Sequence, residues 1–255
     1  MSPQKSPHLR ILVGAGSYLD AAAALRIVEK LAGSFQAALG GVLVEEETLE
    51  ICQIPDQRIV QASGTTTLAP SLRQMRTLIN ADARAFQQSL ERIAGPNAVN
   101  WIFAQERGGL VRTSLHTATG WDLLVIGYRQ MHQVPGKIVV LQNDGSSNEA
   151  INNISNRLSD QLSVPSVTFN IADGPVEKTA PPATNTIQFR TLNDSLKVLT
   201  RTNAEAVLVD LRRGPVQSQS DLTRVIDAAR CPVIVFGASE RQAHLEHNMH
   251  MPSVS

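Results

Sequence analysis

The stretch Leu110 to Arg129, LVRTSLHTATGWDLLVIGYR, constrains the fold of this chain most tightly. It reads as a helix, a turn at Gly120 and a buried strand, Asp122 to Ile126, that ends in Gly127. An unbroken apolar run of this length suits a strand covered on both faces, as in a parallel sheet with helices on either side. Open sheets of that kind bind ligands beyond the carboxyl ends of their strands. A glycine at that place lets a backbone come close to a ligand.

The same alternation recurs along the chain. Arg10 to Ala15 (RILVGA) is expected to be a strand, Leu19 to Ala32 a helix and Ala37 to Val44 (AALGGVLV) a second strand. That is a βαβ unit, which crosses over in a parallel sheet. Residues Glu45 to Pro70 carry Pro55, Gly64 and a Thr65–Thr67 run, and read as a long loop. From Ser71 to about Ile93, Leu72, Met75, Ile79, Phe86, Leu90 and Ile93 make one apolar helical stripe, the mark of a core helix. Val99 to Ala104 is the third strand. After a turn past Gln130, KIVVL (Lys137 to Leu141), the turn Asp144–Ser147, a helix over Asn148 to Leu162 and PSVTFN (Pro165 to Asn170) repeat the opening order. Strands at Thr186–Arg190, Ala206–Asp210 and Pro232–Phe236 follow, with helices at Asp194–Arg201 and Leu222–Ala229. The expected organisation is two units, 1–134 and 135–240, with a flexible tail over 241–255.

Composition removes several function classes. Lys plus Arg and Asp plus Glu are equal at 23 each, so there is no electrostatic case for nucleic acid or an anionic membrane. Aromatic residues are 4%, too few for base-stacking platforms. No apolar run reaches the length of a membrane span or a signal segment, and a cytoplasmic location is expected. The two cysteines, Cys52 and Cys231, show no pairing pattern and read as free thiols.

Taken in order, these segments resemble the universal stress protein family in its tandem two-domain form. RILVGAGSYLDAAAALRIVEKLAGSFQAALGGVLVEE resembles the family's opening βαβ, and WDLLVIGYRQ its fourth strand. KIVVLQNDGSSNEAINNISNRLS repeats the opening with a family-like Asp-Gly-Ser turn, and LTRVIDAARCPVIVFG resembles the last helix and strand. The resemblance implies two Rossmann-like or flavodoxin-like (adenine nucleotide alpha hydrolase-like) parallel-sheet units in tandem, the second abbreviated, and a homodimer. Some family members bind ATP. There an Asp after the first strand and a backbone position after the second hold the nucleotide, and a glycine-rich loop after the fourth strand cradles the phosphates. Carried onto this sequence, the cofactor-binding candidates are Gly14, Gly16, Ser17, Val44, Gly127 and Arg129 in the first unit, and Asp144, Gly145 and Ser146 in the second.

The sequence departs from that pattern. The first-strand Asp position falls near Ala15 or Gly16, and Gly127 is followed by Tyr128, Arg129 and Gln130 with no second glycine at the family spacing. The first unit also passes straight to KIVVL, without a last helix and strand of its own. In the second unit Asp210 stands where glycine is expected, and Pro215 lacks a backbone N–H. Other constellations are weak. Gly14-Ala15-Gly16 is half of a dinucleotide motif, Glu45 to Glu47 lack a placed metal partner, and His244, His247 and His250 sit in the tail. His116 and His132 complete no catalytic arrangement. The leading expectation is a non-catalytic regulatory or stress-response protein with a degenerate nucleotide site, no metal and no required cofactor, working through dimerisation or a protein partner. The alternative is an ATP or AMP sensor of the same family. A nucleotide hydrolase ranks third, because no nucleophile or acid–base pair is placed.

Overall fold

The strand–helix alternation runs through the structure, a computed structural model that describes residues 9–34, 37–45, 58–60, 66–68, 71–95, 100–129, 134–146, 148–172 and 185–239. The elements are β1 (Leu9–Ala15), α1 (Tyr18–Ser34), β2 (Ala37–Glu45), β3 (Arg58–Val60), β4 (Thr66–Leu68), α2 (Leu72–Ala94), β5 (Trp101–Arg107), α3 (Leu110–Thr117) and β6 (Leu123–Ile126). There follow β7 (Lys137–Asn143), α4 (Glu149–Leu162), β8 (Ser166–Ile171), β9 (Thr186–Phe189), α5 (Leu192–Leu199), β10 (Ala204–Asp210), α6 (Gln219–Ala229) and β11 (Val233–Phe236). Within the segment read as a long loop, β3 and β4 form a small antiparallel hairpin. The third strand starts two residues later than expected and runs on through Gln105, Glu106 and Arg107, which pair with Leu43, Val44 and Glu45. Ladder bonds use the backbone, so an edge strand can continue into charged side chains that an apolar pattern does not mark.

Among the described residues, nine strands form one sheet in the order β5-β2-β1-β6-β11-β10-β7-β8-β9. Every neighbouring pair is parallel except the central one, where β6 and β11 run antiparallel with Val233 opposite Ile126 and Phe236 opposite Leu123. The first half of the chain therefore supplies β5-β2-β1-β6 and the second half supplies β11-β10-β7-β8-β9. The place beside β6, where the first half has no further strand, is filled by the last strand of the second half. The second half has, among the described residues, no helix between β8 and β9 to match α2.

The cores follow the two faces of this sheet, not the two halves of the chain. One apolar cluster joins Ile11, Leu31 and Phe86 to Ile138, Ile154 and Ile234, under α1, α2 and α4. The other joins Leu12, Val42 and Ile126 to Phe169, Leu222 and Val233, under α3, α5 and α6. Each fully buried side chain of this size contributes about 1.5–3 kcal/mol, so both halves draw on shared layers. Two adjacent glycines let the covering groups lie flat on β2. A Cβ on Gly40 would come 2.5 Å from the Trp121 ring, and one on Gly41 would meet Leu90 and Phe86 of α2.

An ion pair also crosses between the halves. Arg26 of α1 pairs with Glu205 of β10, whose residue surface is only 5% exposed. The other carboxylate oxygen of Glu205 accepts the backbone N–H of Gly136 at 3.3 Å. Gly136 is pressed against β10: a Cβ there would sit 2.7 Å from the backbone of Asn203, Ala204 and Glu205. The pair thus pins the connection between the halves. Arg26→Met should cost about 1–3 kcal/mol, because it takes the cation from a buried carboxylate, with a discount for the half-exposed guanidinium. Glu205→Gln should cost less, since Arg26 can turn to water. Urea midpoints of the two variants test this order; an equal or reversed ranking would show that burial of Glu205 is not what makes the pair matter. Cys231, also in the core, has its thiol pushed strongly up by burial and, second, by the Glu205 carboxylate, which fits an inert reduced thiol.

Candidate functional site

Because β6 and β11 are antiparallel, the carboxyl ends of the parallel strands in the two halves lie at opposite edges of the sheet. The candidate residues of the first unit gather at one edge. Gly14 closes β1, and a Cβ there would collide with Ser114 of α3, so this glycine is needed for packing. Gly16 is exposed, and a Cβ there would meet nothing within 4 Å. Ser17 faces α1: its Oγ donates to Asp20 Oδ2 at 2.6 Å and accepts the Asp20 N–H at 3.2 Å. Val44 is buried in the core beneath α3 and takes part through its backbone in the β2–β5 ladder. Gly127 donates its N–H to Gly14 O at 2.7 Å, and a Cβ on it would stand 2.5 Å from Asp20 O. Arg129 donates its backbone N–H to Asp20 Oδ1 at 2.7 Å.

The amino end of α1 is where an anion would be drawn by the orphan N–H groups and the helix dipole. The chain has placed its own carboxylates there. Besides Asp20, Asp82 of α2 accepts the Tyr18 N–H at 3.1 Å. Glu45, at the end of β2, pairs with Arg107 at 3.6 Å. Glu46, Glu47, His132 and the three tail histidines lie outside the described residues. His116 is exposed on α3.

At the opposite edge, Asp144 accepts Asn170 Nδ2 at 2.6 Å, and its own N–H donates to Ile171 O at 2.9 Å. Gly145 takes a positive φ of 72° in the turn, a conformation that glycine adopts without steric cost. Ser146 donates both its N–H and its hydroxyl to Asn143 O, at 3.1 and 2.8 Å. Asp210 is 3% exposed and takes donors on both oxygens. Asn148 Nδ2 donates to Oδ2 at 2.7 Å, while Arg212 donates N–H and Nε–H to Oδ1 at 2.8 and 3.3 Å. Gln142, Ser146, Asn148, Asp210, Arg213 and Gly214 line a small pocket of about 10 Å³ here, room for about one water molecule.

A nucleoside triphosphate needs backbone N–H groups and cations aimed at its oxygens. At both edges the N–H group that follows the strand, on Arg129 and on Arg212, is already bound to a carboxylate. Asp20, Asp82 and Asp210 would also repel phosphate. An oxyanion at either place would have to displace Asp20 from the Arg129 N–H or Asp210 from the Arg212 N–H. Among the described residues no cluster of three or more His, Cys, Asp or Glu could hold a metal ion. None of their helices is long and apolar enough to cross a membrane.

Reading the sequence from glycine spacing missed Asp20, Asp82, Asn148 and Asn170. Ser17-x-x-Asp20 is a helix-start pattern, and it was the signal available for Asp20. Asp82 meets α1 across 64 residues and leaves no local mark.

No protein-family model and no curated protein sequence matches the chain. Solved structures do. A protein assigned to the universal stress proteins from Pseudomonas aeruginosa UCBPP-PA14 superposes with a TM-score of 0.52 at 11% identity, covering 96% of this chain and 99% of that one. A universal stress protein from Archaeoglobus fulgidus DSM 4304 gives 0.50 at 9% identity, covering 89% and 95%. A functionally unknown protein from Pseudomonas aeruginosa PAO1 gives 0.50 at 11% identity, covering 94% and 96%. At these identities the likeness is one of fold: a mixed, mostly parallel, Rossmann-like α/β sheet carried over nearly the full length of each chain.

Proposed function

We propose that this chain is a tandem universal stress protein that acts in the stress response without catalysis, through contacts with a protein partner or a second copy of itself. Its units are 1–134 and 135–240, and its nucleotide sites are degenerate. The observation that carries the reading is the hydrogen bond from the Arg129 N–H to the Asp20 carboxylate, 2.7 Å long, in the loop after β6, where the family resemblance leads one to expect the phosphates. The fold likeness to two universal stress proteins supports the family assignment. The pairing of Asp210 with Arg212 at the other edge supports the same loss of phosphate binding there.

The test is direct. Protein purified from cells is denatured and the supernatant chromatographed for released nucleotide, and ATP and AMP are titrated calorimetrically into the purified chain. The expected result is no stoichiometric nucleotide and no binding heat at millimolar ligand. Tight, stoichiometric ATP or AMP would replace this reading with that of a nucleotide sensor. Light scattering on the eluting protein reads its assembly: a mass near twice 27.6 kDa supports a homodimer, and a monomer leaves the work to a partner protein.

A further inference from the structure

We infer that a second copy of this chain docks on the outer edge of β5. The two β5 strands pair antiparallel about a two-fold axis through Phe103, and Arg84 and Glu91 of α2 meet Glu91 and Arg84 of the other copy. This rests on the part of the reading above that gives the chain a second copy as partner, and it names the surface. Among the described residues β5 is the end strand of the large sheet. It runs seven residues, WIFAQER, in unbroken register with β2. Asn100 O accepts the Leu39 N–H, and the Gly108 N–H donates to Glu45 O, so the even-numbered residues of this segment serve β2. Both polar groups of a residue in a parallel ladder face the same neighbour, so those of Trp101, Phe103 and Gln105 face the open side. A two-fold axis at Phe103 pairs these three groups fully: Phe103 with itself and Trp101 with Gln105 of the other copy. It also sets Ile102, which is 59% exposed, against Ala104 of the other copy. Such a row of open donors and acceptors is a template for another strand.

The helix above this edge matches the same axis. One side of α2 faces α1, through Asp82, Ser89 and Arg92. A second side, with Phe86, Leu90 and Ile93, is buried on the sheet. The third side, Arg84, Gln87 and Glu91, is exposed at i, i+3, i+7 spacing and faces away from α1, over the open edge. Arg84 and Glu91 form no ion pair among the described residues. The level of the axis along α2 is fixed by packing. Phe86 meets Phe103 with ring centroids 5.4 Å apart, and a Cβ on Gly41, the register partner of Phe103, would meet Leu90 and Phe86. The axis therefore crosses α2 midway between Arg84 and Glu91. Because α2 lies across β2 and β5, strands about 4.8 Å apart bring the two copies of α2 to about 10 Å, a normal packing distance. The charges on this surface are then complementary to themselves, as a two-fold interface requires.

The test uses the full chain, with mass read by light scattering and dissociation by sedimentation over a concentration series. The unaltered chain should give a mass near twice 27.6 kDa. Ile102→Lys puts a charge on the edge at an exposed position and should give a monomer whose thermal unfolding by circular dichroism is unchanged. Ile187→Lys, at the exposed position on β9 at the opposite end of the sheet, should leave the dimer intact. Arg84→Glu and Glu91→Arg each set like charges together twice in the dimer and should raise its dissociation constant about tenfold or more. The double exchange, Arg84→Glu with Glu91→Arg, should restore it. A monomeric unaltered chain overturns the inference, as does a dimer that survives Ile102→Lys or yields to Ile187→Lys instead, or a double exchange that restores nothing. A monomer leaves the protein-partner reading standing, whereas ATP binding to the unaltered chain overturns the degenerate-site reading and leaves this surface untouched.

Discussion

Gly127→Val is expected to destabilise the chain by about 3–5 kcal/mol, with no ligand present. The cause is steric and local. A Cβ at this position would be 2.5 Å from Asp20 O, 2.8 Å from Asp20 C and 3.2 Å from Ala21 N. These are backbone atoms of the first turn of α1, so no rotamer change relieves the contact. Either the helix start lifts away from β6 or β6 leaves its ladder with β1. In the first case the hydrogen bond between Arg129 and Asp20 goes with it. Alanine at the same position should already cost about 1–3 kcal/mol, because the clash begins at Cβ. Urea unfolding followed by circular dichroism measures both. A near-neutral Gly127→Ala would mean that α1 can move cheaply, and it would return Gly127 to the role of a residue kept only for ligand approach.

Ile234→Ala is expected to cost about 2–5 kcal/mol, and its effect should be felt throughout the molecule. Ile234 is fully buried in β11, opposite Val125 of β6, and belongs to the apolar layer that also holds Ile11, Leu31 and Phe86. Both tryptophans, Trp101 and Trp121, are in the first half of the chain, while the lesion is in the second. If the sheet unfolds as one unit, tryptophan fluorescence and far-ultraviolet circular dichroism will shift to the same lower midpoint. Fluorescence that keeps the unaltered midpoint while circular dichroism splits into two steps would show two independently stable domains.

The two variants also mark what could and could not be read from sequence. RILVGA, AALGGVLV, KIVVL and PVIVF announce buried strands by their unbroken apolar character, and each is a strand in the structure. The stripe through Phe86, Leu90 and Ile93 announces the buried face of α2 in the same way. Neither signal carries the direction of strand pairing. Four apolar residues, Leu123 to Ile126, would serve equally beside a parallel or an antiparallel neighbour, so the join between β6 and β11 was invisible. The candidate glycines were found by spacing, but spacing does not say what approaches them. At Gly14 it is a serine side chain, and at Gly127 it is a turn of helix. Asp210 was legible as a departure from the phosphate-loop pattern; its closure by Asn148 and Arg212 required coordinates.

The central antiparallel pair has a consequence for synthesis. β6 is a short strand of four apolar residues, LLVI, and its other partner β11 is the last element among the described residues. While the ribosome makes residues 127 to 232, β6 can pair with β1 but keeps one open, apolar edge. Such an edge is a template for pairing with other chains. Closing it depends on contacts of high sequence separation, which form late and slowly. A nascent chain that stops before β11 is therefore the form of this protein most prone to aggregate, and the one that would most depend on a chaperone holding it until PVIVF emerges.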